Sequence, residues 1–314
     1  MDLSPKTSTR AAPIQIVRGF CMGAADVVPG VSGGTIALVF GIYPKLVAQI
    51  RQGASALGQL ARGRPSSFVD ELRRVDWLFL VPLLGGILLA LASLAGVISY
   101  FLEEEPIRTA GVFFGLVIGS LFTTVHLVDR WDTRHLGTAA AVAVTTFVVL
   151  GLGSGQVDDP HLAFVFVGGM IAICAMILPG VSGSFLLLML GLYRFVLDAV
   201  HERDLLVIAV FGIGAVIGLA GFSSLLSWAL ERWEQLMLAG LIGLMTGSLR
   251  VLWPWPNGTG SEESTNGTVM ALPRGDVFWP IALAAIAALA IAVIARVAGD
   301  RTATEPITPA DALP

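Results

Sequence analysis

Charge is what this chain has least of. Asp, Glu, Lys and Arg make up 13% of its 314 residues, against 55% hydrophobic residues. A soluble domain carries about 25% charge, so a water-exposed globular fold is excluded. Cysteine is scarcer still. Cys21 and Cys174 both lie in apolar stretches, which predicts neither a disulfide framework nor a metal site. No cleavage site follows the first apolar stretch, and residues 1–13 are polar, so no removable signal peptide is expected. The net charge of -4 says less than where the charges sit.

What the chain has is apolar length. Mean hydropathy is +0.81, and apolar segments run over 14–28, 34–50, 77–101, 107–127, 136–152, 161–178, 184–200, 205–230, 235–252 and 277–297. Several reach the roughly 20 residues that a membrane-spanning helix needs. The 36 glycines fit the same class, because small residues let membrane helices approach closely. Between the segments lie a basic connection at 51–76, acidic turns at 103–105 and 158–159, and a polar loop at about 253–276.

Two of the segments are copies of one pattern. Residues 27–50 read VVPGVSGGTIALVFGIYPKLVAQI and residues 177–200 read ILPGVSGSFLLLMLGLYRFVLDAV. A second echo pairs Gly115, Gly119 and Ser120 with Gly243, Gly247 and Ser248. Two echoes in the same order predict a duplication. The expected organisation is an N-terminal cytoplasmic segment (1–13), a first repeat (14–152), a second repeat (153–297) and a C-terminal cytoplasmic tail (298–314). Each repeat is read as one re-entrant helical hairpin with its tip at PGVSG, plus three transmembrane helices. An odd number of crossings per repeat inverts the second against the first. The expected fold class is therefore an all-α polytopic membrane protein with an inverted-topology repeat. With the N-terminus in the cytoplasm, fourteen of the 19 basic residues fall inside, leaving Arg108, Arg194, Arg203, Arg250 and Arg274 outside. That asymmetry follows the positive-inside rule.

The breaks are where the chemistry is expected. Pro29 and Pro179 end the incoming helices for want of an N–H, and Ser32 and Ser182 are suited to cap the outgoing ones. Irregular backbone at membrane depth survives only when it is buried in protein or lines a polar cavity. Two helix N-termini converging from opposite faces make an anion site. Each supplies about half a positive charge, against about -1.5 to -2 on a phosphate monoester, so a proton or cation is needed to complete the neutralisation. The hydroxyls of Ser32, Thr35, Ser182 and Ser184 would add hydrogen bonds. Asp26 lies about 4.5 Å along the helix from Pro29, where a carboxylate is costly and marks function. It reads either as a proton carrier or cation partner, or as a hydrogen-bonded structural carboxylate. Its counterpart in the second repeat is Met176. Arg18, about 16 Å before Pro29, reads as an interfacial or topology-setting residue. Tyr43 and Tyr193 read as interfacial anchors, Arg250 with Trp253 and Trp255 as a span end in an aromatic belt, and His126 as a structural residue inside a span.

The stretches RGFCMGAADVVPGVSGGTIALVFGIY (18–43), ILPGVSGSFLLLMLGLY (177–193) and GLMTGSLRVLWPW (243–255) closely resemble the PopT-type polyprenyl-phosphate transporter family. The resemblance covers residues 14–297. It implies a flippase that returns undecaprenyl phosphate from the outer to the cytoplasmic leaflet of the bacterial inner membrane, for reuse in envelope synthesis. It also implies substrate-binding candidates at Arg18, Asp26, Gly30, Ser32, Gly33, Gly34, Thr35, Gly180, Ser182, Gly183 and Ser184. The expected partners are a polyprenyl phosphate and membrane lipids, with no nucleic acid and no cofactor beyond proton or sodium coupling.

Three other readings compete. A transporter or channel for a small soluble anion would use the same helix ends. The breaks could serve close packing alone. The Gly-x-Ser-Gly pattern within each break invites comparison with intramembrane serine proteases, with His126 as base, but no histidine has a repeat-related counterpart to serve the second serine, and a nucleophile needs a base within reach.

Overall fold

The computed structural model describes residues 12–27, 32–152, 157, 159–256 and 269–302. The expected N-terminal segment, C-terminal tail and repeat junction at 153 fall wholly or largely outside these residues. So do Pro29 and Gly30 of the first break. Among the described residues every regular element is helical.

The first break is flanked by α1 (Ala12–Asp26) and α2 (Gly33–Val39), and α3 (Tyr43–Ala61) follows α2 after a short turn. A helix in the basic connection, α4 (Pro65–Arg74), leads to α5 (Trp77–Glu104), α6 (Pro106–Thr124) and α7 (Thr133–Val149). The second break separates α8 (Leu162–Ile177) from α9 (Gly183–Met189), which is followed by α10 (Tyr193–Glu202), α11 (Leu205–Ser248) and α12 (Phe278–Thr302).

Four helical stretches are long and apolar enough to cross a membrane: α5, α6 with its terminal turn, α11 and α12. At 44 residues, α11 is about 66 Å long, twice a bilayer core of about 30 Å. It leaves helical geometry at Trp233 (φ -138°, ψ 49°), between the two apolar segments seen in the sequence. Large apolar side chains along these helices face outward, among them Leu88 (57% exposed), Ile213 (56%) and Leu289 (66%). Exposed apolar surface of this extent belongs in lipid. The chain is a multi-pass helical membrane protein.

The outgoing arms differ from expectation. Segments 34–50 and 184–200 each read as one continuous stretch, yet each is two helices. Gly41 (φ 67°) and Gly191 (φ 71°) adopt the left-handed backbone that only glycine takes cheaply, and both sit where the chain turns. In the second copy α9 and α10 meet at 108°. Each arm leaving a break is thus only seven residues long.

Glycines set how the long helices pair. A Cβ on Gly19 would lie 1.9 Å from the Leu83 carbonyl oxygen, and one on Gly86 2.1 Å from that of Ile16, so α1 and α5 touch backbone to backbone. The α8–α11 crossing is built alike, with Gly169 against Phe211 and Gly214 against Phe166. Gly115 of α6 seats on Ala284 of α12, and Gly243 of α11 seats on Ala139 of α7. With little hydrophobic gain between helices in lipid, such close packing is what holds them together.

Charged contacts gather at the two ends of α5. Near its start Lys45 pairs with Asp76 at 2.8 Å, and Arg51 of α3 pairs with Glu231 of α11 at 3.0 Å. Beyond its end Arg108 contacts Glu105 at 2.9 Å and Asp276 at 2.8 Å.

Candidate substrate site

The two breaks meet. The Thr35 hydroxyl accepts the backbone N–H of Gly180 at 2.9 Å, and Ser32 Oγ donates to the Met176 carbonyl at 3.4 Å. Gly34 lies so close to the second break that a Cβ there would stand 2.8 Å from the Ile177 carbonyl oxygen. Gly180 takes a left-handed conformation (φ 84°) while pressed against Met245 of α11. A side chain at Gly34 would force the breaks apart, and one at Gly180 would push the second break off α11.

The two outgoing helices do not begin in the same way. At α2, Ser32 Oγ accepts the Gly34 N–H at 3.1 Å, and Asp26 Oδ1 accepts the Gly33 N–H at 2.6 Å. A Cβ at position 33 would sit 2.6 Å from Asp26 Oδ2, so a side chain there would displace the carboxylate from the helix start. At α9 no side chain caps the helix. Met176 occupies the place equivalent to Asp26, its Cγ 2.6 Å from where a Gly183 Cβ would be. Ser182 Oγ instead lies 2.8 Å from Ser184 Oγ. One helix start is therefore met by a carboxylate and the other by a thioether side chain.

Beside this junction lies a cavity of about 340 Å³ lined by Asp26, Ser32, Ser182, Gly183 and Ser184. Its remaining walls include Gly169 and Met176 of α8 and Phe211 and Ala215 of α11. Among the described residues that line it there is one carboxylate and no basic side chain. The seven-residue arms also carry less dipole than long helices would, so the cavity has less positive potential than the sequence predicts.

Five of the expected binding residues thus line one cavity beside the breaks. Gly33 is held against one of them, Asp26, while Gly34, Thr35 and Gly180 form the contact between the breaks. Gly30 lies outside the described residues. Arg18 stands apart from the lining, with its guanidinium 3.5 Å from Gln15 Oε1. Gly169, Phe211 and Ala215 were not foreseen. The first could have been, because Gly169 stands to Pro179 as Gly19 stands to Pro29.

Three expectations are corrected. Tyr43 is fully buried, with its hydroxyl unpartnered among the described residues, because the turn at Gly41 folds α3 back into the core; only Tyr193 is exposed. Trp255 is buried against Trp253, which itself packs on Phe114, so it is no belt residue. His126 lies in the exposed terminal turn at the end of the α6 span rather than well inside it.

These features define a multi-pass helical membrane protein with a cavity, lined by one carboxylate and three serines among apolar side chains, where two chain breaks meet. The chain belongs to the VCA0040-like family, described as undecaprenyl phosphate translocase-like, which residues 22–270 match. It is 39% identical over 256 residues to a polyprenyl-phosphate transporter of Vibrio cholerae serotype O1, with 82% of each chain covered. It is 33% identical over 258 residues to a polyprenyl-phosphate transporter of Staphylococcus aureus, covering 77% of this chain and 86% of that one. No solved structure matches. The family is one of transporters, not enzymes, and the protease comparison falls with that.

Proposed function

We propose that this chain moves undecaprenyl phosphate from the outer to the cytoplasmic leaflet of the bacterial inner membrane, returning the carrier lipid for envelope synthesis. The observation that carries the reading is the cavity at the junction of the breaks, which brings Ser182, Gly183 and Ser184 opposite Asp26 and Ser32. Hydroxyls and an uncapped helix start can hold phosphate oxygens, while the apolar outer face leaves the prenyl chain in hydrocarbon. The names of the relatives support the same substrate class.

The cavity also bears on coupling. A phosphate of about -1.5 to -2 facing the Asp26 carboxylate, with no basic side chain in the described lining, is electrostatically unfavourable at low dielectric. Entry of the substrate then requires a proton on Asp26 or a bound cation such as sodium. A protonated Asp26 would release the Gly33 N–H to the phosphate.

The transport cycle we infer is rocking of two inverted repeats about the shared site. The glycine pairs support a repeat: Gly19 with Gly86 and Gly169 with Gly214 make equivalent crossings, and α6–α12 mirrors α11–α7. In this reading each short arm and its break form a re-entrant element, and both termini are cytoplasmic.

The test is transport in proteoliposomes loaded with undecaprenyl phosphate, following its exposure in each leaflet with and without proton and sodium gradients. Redistribution of the lipid that depends on the protein is expected. Movement of inorganic phosphate with none of the lipid would favour the soluble-anion reading, and indifference to both gradients would remove the coupling.

A further inference from the structure

A second cavity adjoins the first, and it is apolar. It measures about 430 Å³ and lies between residues 145–150, at the end of α7, and 170–175 of α8, with Leu244 of α11 also lining it. Among the described residues that line it none is charged. The two cavities lie on opposite faces of α8. Ala172, Ile173 and Met176 look into the polar one, and Ile171, Cys174 and Ala175 into the apolar one, as about 100° of rotation per residue requires. Val181, in the second break just past the end of α8, lines both. Val149 on the α7 wall is 43% exposed, so the groove is reached sideways from the bilayer.

We propose that this groove holds the first isoprene units of the substrate's chain while the phosphate occupies the polar cavity, the lipid bending past Val181 around the end of α8. This rests on the transport reading above and adds a binding site for the chain. The two cavities share Val181, so a lipid whose phosphate lies in the first has its adjoining hydrocarbon beside the second. A prenyl phosphate suits that placement, since its hydrocarbon begins at the carbon bonded to the phosphate ester. The volume is too small for eleven isoprene units, so the rest of the chain stays in the bilayer. Because lipid is as apolar as the groove, the gain is in packing contacts, and it acts on which lipid is chosen more than on how tightly it binds.

Filling the groove tests this. Ile171→Trp and Val149→Trp are compared with the wild type for binding of undecaprenyl phosphate and of dimethylallyl phosphate, whose single unit ends near Val181. Affinity for the long chain is expected to fall about fivefold to tenfold, with the single-unit probe unchanged. Unchanged long-chain binding in both variants overturns the proposal. A wild type that binds neither probe overturns the transport reading instead. Should the variants fail to fold, the wild type decides. An undecaprenyl phosphate carrying a diazirine near its phosphate end should label residues 145–150 and 170–175. Labelling spread equally over the outer face of α12, at Leu289 for example, or blocked equally by phosphatidic acid, overturns the groove as a prenyl site.

Discussion

Thr35 and Gly180, 145 residues apart in the chain, are joined by one hydrogen bond of 2.9 Å between the hydroxyl of one break and the backbone N–H of the other. Both residues are buried. No water is at hand to replace the bond, so it ties the two halves together at the point where substrate is proposed to bind.

Thr35→Ala leaves the Gly180 N–H buried without an acceptor. The expected cost is about 1–3 kcal/mol, seen as a lower melting temperature in detergent, and Thr35→Ser should restore most of it. If Thr35→Ala melts like the wild type, the bond contributes nothing to the junction.

Asp26→Asn keeps an oxygen for the Gly33 N–H and removes the titratable charge. Folding should survive with a loss of about 1 kcal/mol or less, while transport should lose its dependence on the proton gradient. The measurement is the transport rate against external pH in proteoliposomes. A pH profile that persists in the variant assigns coupling to another group.

Ser182→Ala with Ser184→Ala removes the hydroxyl pair from the cavity wall. Affinity for undecaprenyl phosphate should fall about tenfold, the equivalent of ~1.4 kcal/mol, with melting little changed because the pair faces the cavity rather than a packed neighbour. Substrate binding by isothermal titration, run beside a melting curve, separates the two effects.

Gly86→Ala should disrupt the α1–α5 crossing, since its Cβ would meet the Ile16 carbonyl oxygen at 2.1 Å. Overpacking of this kind costs about 1–3 kcal/mol or more. Gly212→Ala, where nothing lies within 4 Å of a Cβ, is the control and should be neutral or stabilising by up to ~1 kcal/mol. Equal melting temperatures for the two variants would falsify backbone contact as the basis of this crossing.

Much of the cavity was legible beforehand because the break announces itself. A Pro followed by Gly, Val, Ser and Gly inside an apolar run can only be a chain interruption, and finding it twice points to one shared site. The bend within each outgoing arm was less legible. It depends on Gly41 and Gly191, and in a stretch apolar throughout, a turn glycine looks no different from a packing glycine. Tyr43 was misplaced for that reason: on a straight arm it would reach the interface, and after the turn it enters the core.

The sequence by itself determined the membrane environment, through apolar length and scarce charge, and located the two interruptions, through residue types whose backbone chemistry is local. It also exposed the inequality of Asp26 and Met176, which is visible when the two copies are set side by side. Only the tertiary structure decided what that inequality does. Asp26 turns back onto the Gly33 N–H, so the carboxylate meets one helix start while the other is left to Ser182 and Ser184. Which atoms meet across 145 residues depends on how closely glycine lets the helices approach, and that distance is set by packing rather than by any local pattern of residues.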